Sequence, residues 1–191
     1  MIDRNKLIGN TNNFARTNRV NLTLLCESDR PYWESMLPEL PVLELLGKRD
    51  AMVEKTWREC LSDDIITFMA WKNETKEFVG YVQYKCLLTE MPELAIELVE
   101  EYQGVGLGQE LCTCIIREFF NRTDEASIYY RVFKQNHPSI HLVEKLGGKL
   151  VGERLMKDAL EDVRESELEA LADFDTLIYR IDRSDWIGGV K

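Results

Sequence analysis

The stretch from Glu93 to Asn121 constrains this chain more than any other, because an alternating segment, a turn with three glycines and a helical pattern follow one another closely. In Glu93–Val99 the apolar Leu94, Ile96 and Leu98 alternate with Glu93, Ala95 and Glu97. That is the period of a strand with one apolar face and one face that carries carboxylates. The turn Gln103-Gly104-Val105-Gly106-Leu107-Gly108 comes next, and from Gln109 to Asn121 the residues Leu111, Ile115, Ile116 and Phe119 recur at helical spacing. Glycines between a strand and a helix can take positive φ and bring bare N–H groups to a ligand, and the helix aims its positive end at the same spot. The combination suits a pyrophosphate; a structural turn that binds nothing is the other reading. The spacing is not the G-x-G-x-x-G of a dinucleotide fold, and no Gly-Lys-Ser/Thr follows to make a P-loop.

Around this unit the chain reads as an alternation of strands and helices. Residues 20–26 read as a first strand, Tyr32 to Leu46 as a helical stretch broken by Pro38 and Pro41, and Asp50 to Leu61 as a better helix that Asp50 can cap. Ile65–Trp71 and Phe78–Leu87 read as strands joined by the polar run Lys72 to Glu77. After the glycine turn come a strand over Ser127–Phe133, a short helix over Pro138–Leu146 ended by Gly147, and a strand over Lys149–Leu155. An acidic helical segment, Lys157 to Ala172, leads to a last strand, Asp175 to Asp182. The economical packing is α/β (α+β): a single mixed, mostly antiparallel central sheet of about six to seven strands flanked by helices. Residues 1–19 read as a polar N-terminal extension, 20–183 as the domain and 184–191 as a C-terminal tail.

Composition narrows the partners. The formal net charge of -10 argues against nucleic acid, which is held by clustered Lys and Arg. It suits a cationic partner drawn in by the field, or simply a soluble surface. The apolar runs are too short for a membrane span, and Met1 to Arg19 lacks the apolar centre of a secretion signal, so a cytoplasmic protein is expected. Five cysteines (Cys26, Cys60, Cys86, Cys112, Cys114) show no paired C-x-x-C spacing, which argues against a disulfide framework or a zinc site. His137 and His141 lie four apart, but no third ligand is placed beside them, and no metal is expected.

Two blocks carry a family resemblance. Gln103-x-x-Gly106-x-Gly108 resembles the Q/R-x-x-G-x-G/A acetyl-CoA motif of the GNAT superfamily of N-acetyltransferases. The run Glu93 to Gly104 is similar to the strand and turn of the branch that contains the ribosomal-protein N-terminal acetyltransferases. Asn136-His137-Pro138-Ser139 with Glu144-Lys145-Leu146-Gly147 resembles that branch's N-x-x-S…E-K-L-G helix. The resemblance implies an acetyltransferase that moves an acetyl group from acetyl-CoA directly to a primary amine, a small cationic amine or a peptide N-terminus. A degenerate, non-catalytic acyl-CoA sensor is the alternative, and a homodimer is an assembly that such folds permit. It further implies that Leu98 and Val99 offer backbone bonds to pantetheine. The amides of Gln103, Gly104, Val105, Gly106, Leu107 and Gly108 would hold the pyrophosphate, and Asn136 would bind the pantetheine arm or position the helix that covers it. Asn136 as a plain helix cap is the competing reading.

Direct attack by an amine needs a proton acceptor, orientation and a group near the leaving thiolate. Glu97, nearest the turn, is the first candidate for base or amine-positioning group, and Glu93 the second. The family's usual acid is a tyrosine seven residues after the asparagine; that position here is Val143, so Ser139 is the hydroxyl that the resemblance offers. Gly148 stands where the family often has phenylalanine, which is expected to leave room nearby. The carboxylates Asp158, Glu161, Asp162, Glu165, Glu167, Glu169 and Asp173 are expected either to form a solvated helix face or to attract a cationic acceptor.

Overall fold

Residues 2–9, 13–37, 48–155 and 175–186 are described by the computed structural model, and they fall into two compact units, Met1–Thr123 and Asp124–Lys191. The acidic segment and the region around Pro38 and Pro41 lie outside the described residues.

The first unit opens with helix α1 (Arg4–Ile8), whose first turn is capped by Asp3 accepting from the N–H groups of Asn5 and Lys6. Strands β1 (Asn13–Arg16), β2 (Val20–Leu24), β3 (Ile66–Lys72), β4 (Phe78–Lys85) and β5 (Glu93–Leu98) pair in sequence order, each antiparallel to the next. Helix α2 (Arg30–Glu34) and helix α3 (Arg49–Cys60) come between β2 and β3, and helix α4 (Leu107–Arg122) follows β5. Lys48 occupies the N-cap of α3 without a side-chain bond, and Asp50 lies in the first turn instead of capping it.

The period-two patterns explain which side of each strand is covered. Phe14 stacks on Phe68, Tyr84 meets both edge-on, and Tyr84 packs on Phe119 of α4 while its hydroxyl donates to the Ile115 carbonyl. Leu94 and Val82 share this fully buried face. On the opposite face Met69 packs with Leu25, Trp33, Val53, Trp57 and Cys60, and Trp71, Phe78 and Tyr81 border that cluster. Each large apolar side chain so covered contributes roughly 1.5–3 kcal/mol.

The second unit holds β6 (Ser127–Phe133), helix α5 (His137–Lys145), β7 (Lys149–Arg154) and β8 (Thr176–Asp182). β8 is antiparallel to both β6 and β7. The class is the expected α/β with a mostly antiparallel sheet. Among the described residues there are eight strands, five in the first unit and three in the second, where six to seven were expected, because β1 falls inside residues 1–19. That segment pairs with β2 and is tied down by Arg122, whose guanidinium donates to the carbonyls of Leu7, Ile8 and Phe14 and lies over the Phe14 ring.

Candidate active site

Gly80 decides how β5 runs into the glycine turn. In the β3–β4 register Ala70 faces Gly80 but Trp71 faces Phe78, so Val79 is an extra residue and β4 is bulged there. Gly80 has φ 142°, and a Cβ built on it would lie 2.1 Å from the Glu97 carbonyl oxygen and 2.8 Å from the Leu98 Cα. Only glycine lets β5 come this close. Beyond Leu98 the Val99 N–H donates to the Val79 carbonyl, and a short 3-10 turn, Glu100–Tyr102, delivers the chain to Gln103. The Gln103 side chain folds back, its Nε2 donating to the Leu98 carbonyl at 2.9 Å.

Gly104 (φ 71°) and Gly106 (φ 82°) take the left-handed conformation, and nothing lies within 4 Å of where a Gly104 Cβ would stand. Gly106 is the N-cap of α4. The first bond of the helix runs from the Glu110 N–H to the Gly106 carbonyl, so the amides of Leu107, Gly108 and Gln109 belong to the open first turn. Open space, two left-handed glycines and the positive end of a 16-residue helix fit an anion such as a pyrophosphate.

Glu97 lies opposite Tyr81, and Glu93 opposite Lys85, on the β5 face away from α4. Directly opposed residues in an antiparallel pair share a face, so Glu97 and Tyr81 stand side by side. The two carboxylates differ sharply. Glu93 is buried, at 6% exposure, whereas Glu97 is reached by solvent. Even so, the protein crowded around Glu97 pushes its carboxyl above the usual range, against the opposing pull of Lys85. Burial, then the nearby charge of Glu97, raises the Tyr81 hydroxyl far above the normal tyrosine range and keeps it protonated. Sequence reasoning did not single out Tyr81; the strand pairing that places it beside Glu97 is a long-range feature.

In the second unit Asn136 caps α5, its Oδ1 accepting from the Ser139 N–H at 3.1 Å. Asn136 is thus a helix cap in this structure, and Ser139 lies in the first turn of that helix, half-buried. Val143 is completely buried in the interior and presents nothing to a ligand. The room expected at Gly148 is absent: a Cβ there would lie 2.6 Å from the Val143 Cγ2, so the two departures from the family pattern fit each other. Among the described residues no group of three His, Cys, Asp or Glu gathers into a metal site.

The acetyltransferase (GNAT) domain matches residues 19–149, and the chain belongs to that family. It is an acetyl-CoA-dependent N-acetyltransferase: acetyl-CoA is the donor and an amine the acceptor. Among solved structures, RimJ of Mycobacterium smegmatis in complex with CoA-disulfide is similar at a TM-score of 0.61 and 16% identity, over 86% of this chain and 82% of that one. Spermidine N-acetyltransferase from Vibrio cholerae in complex with CoA and spermine gives 0.63 and 17%, over 88% and 98%. A dodecameric structure of the Vibrio cholerae spermidine enzyme gives 0.65 and 15%, over 92% and 100%. At these identities the likeness speaks for the fold alone. No curated protein matches by sequence.

Proposed function

We propose that the acceptor is a primary amine, on a small cationic molecule or at a peptide N-terminus, and that Glu97 receives its proton directly or through one water. The observation that carries this reading is Glu97 itself: a solvent-reached carboxylate with a raised pKa, just before the glycine turn and beside a protonated Tyr81. A carboxyl raised above the usual range is a better proton acceptor than an ordinary one. Its negative charge also favours a cationic amine over a neutral one.

In this account the amides of Gln103 to Gly108 hold the donor's pyrophosphate, and the backbone at Leu98 and Val99 orients the pantetheine arm. Acetyl-CoA supplies the thioester. Glu97 first takes one proton from the ammonium; the freed amine nitrogen then bonds to the acetyl carbon as the carbon–sulfur bond breaks, and the second proton that the nitrogen sheds passes to the thiolate, which leaves as CoA thiol. Ser139 is the hydroxyl proposed for the thiolate, with Asn136 holding the helix that carries it; buried Val143 can play no such part. Glu93, buried under the same strand face, is the second carboxylate of the reading. We place the enzyme in the cytoplasm, where its five free cysteines stay reduced, and infer an assembly of two or more copies from the oligomeric spermidine enzyme. Among the described residues no helix is long and apolar enough to cross a membrane.

The test is thiol release from acetyl-CoA over polyamines, aminoglycosides and peptide amino termini. Turnover is expected on at least one of these cationic classes, with an acceptor KM that rises several-fold between low and high salt. Turnover confined to uncharged acceptors, or a KM insensitive to salt, contradicts the reading.

A further inference from the structure

Three connections of the first unit meet at Arg19. Asn73, in the hairpin between β3 and β4, donates its Nδ2 to the carbonyls of Thr17 and Asn18 at 3.1 and 3.0 Å, and its N–H to the Arg19 carbonyl at 2.9 Å. These bonds fasten the β1–β2 turn from one side. From the other side Arg19 reaches out: its N–H and Nε donate to the two carboxylate oxygens of Glu110 at 3.2 and 2.6 Å, and its Nη1 donates to the Val105 carbonyl at 3.1 Å. Nη2 lies beside Gly106, 3.8 Å from where a Cβ would stand. One guanidinium thus spans the glycine turn and the first turn of α4.

The placement has an electrostatic consequence. Glu110 is an acidic residue in the first turn of the helix whose positive end faces the turn. Burial alone would raise its carboxyl, but hydrogen bonds from Thr17 and Arg19 hold it below the usual range, so it is fully charged at neutral pH. An unpaired carboxylate there would oppose any anion brought to the neighbouring amides. A half-exposed ion pair contributes little to folding, whereas the fork of a guanidinium fixes two acceptors at once.

We propose that Arg19 is a positioning residue for the donor. It holds Val105 and Glu110 so that the turn's amides stay aimed at the pyrophosphate, and it cancels the carboxylate that would repel that group. This rests on the reading of Gln103–Gly108 as the pyrophosphate site.

Acetyl-pantetheine, which carries the thioester but no pyrophosphate, separates the possibilities when compared with acetyl-CoA. Arg19→Gln is expected to raise KM for acetyl-CoA about tenfold with kcat held within about twofold, and to leave kcat/KM for acetyl-pantetheine at the wild-type value. Arg19→Lys, which keeps the charge but not the fork, falls between the two and serves if the glutamine variant does not fold. Equal losses with both donors, or no loss with acetyl-CoA, overturn the proposal. Gly106→Val is measured alongside. If it lowers the preference for acetyl-CoA while both Arg19 variants leave it unchanged, the role of Arg19 fails and the turn survives. If it leaves that preference unchanged, the turn is not the pyrophosphate site and the proposal falls with it.

Discussion

Gly80→Ala is expected to cost on the order of 10²-fold in kcat/KM and about 2–3 kcal/mol in stability, although Gly80 touches neither substrate in the mechanism above. Its new methyl would meet the Glu97 carbonyl oxygen at 2.1 Å, in a backbone conformation with φ 142° that an L side chain resists. The obstructing atoms are backbone, which a side-chain rotation cannot move aside. β5 must therefore shift away, and with it Glu97, Leu98 and the entry to the glycine turn. Gly152→Ala is the control: nothing lies within 4 Å of its Cβ position, and both activity and melting temperature should stay at the wild-type value. Steady-state kinetics with a thermal melt on the two variants decides the matter. If Gly80→Ala behaves like Gly152→Ala, β5 does not position the reacting groups.

Glu97→Gln is expected to lower kcat about 10²-fold at pH 7, the size typical of a lost general base. Its effect on stability should have the opposite sign. Because the folded protein holds this carboxyl above its unfolded value, the native state binds the proton more tightly than the unfolded chain does. Stability from this group is present at low pH and is lost as pH rises through the window between the two values. A permanently neutral glutamine escapes that loss, so the melting temperature at pH 7 should not fall. In the wild type, kcat/KM should decline as pH drops through a value above the ordinary carboxylate range, and that limb should vanish in the variant. A variant that loses stability and activity together, with the acid limb intact, would mark Glu97 as a structural residue.

Local patterns were enough for most of the architecture. The alternation in Glu93–Leu98, the apolar stripe of α4 and the Pro138/Gly147 bracket of α5 each express a preference that the packing reinforces, so their boundaries agree within a residue or two. The first nineteen residues were harder. β1 is four residues long with a polar neighbourhood, and it is held by a cation 108 residues away, Arg122 bonding to Phe14. Nothing local announces such a strand. Gly80 was hidden for a related reason: within β4 it looks like a weak point, and its need for glycine comes from β5 across the sheet.

The candidate site divides in the same way. The glycine turn is contiguous in sequence, so its spacing could be read directly and its positive φ values follow from composition. The partners Tyr81 and Arg19 come from strand register and from a turn 91 residues before Glu110. Gly148 shows the limit of comparing positions one at a time. Taken alone it implied empty space, but Val143 fills that space, and the missing tyrosine and missing phenylalanine are one packing solution.

Amide chemical shifts of the labelled protein, titrated with CoA and separately with pantetheine, report whether the Gln103–Gly108 turn takes the pyrophosphate of the acetyl donor. The amides of Gly104, Gly106, Leu107 and Gly108 are expected to move with CoA and to stay in place with pantetheine. Saturable CoA binding that leaves those four amides unmoved would contradict pyrophosphate binding at the turn.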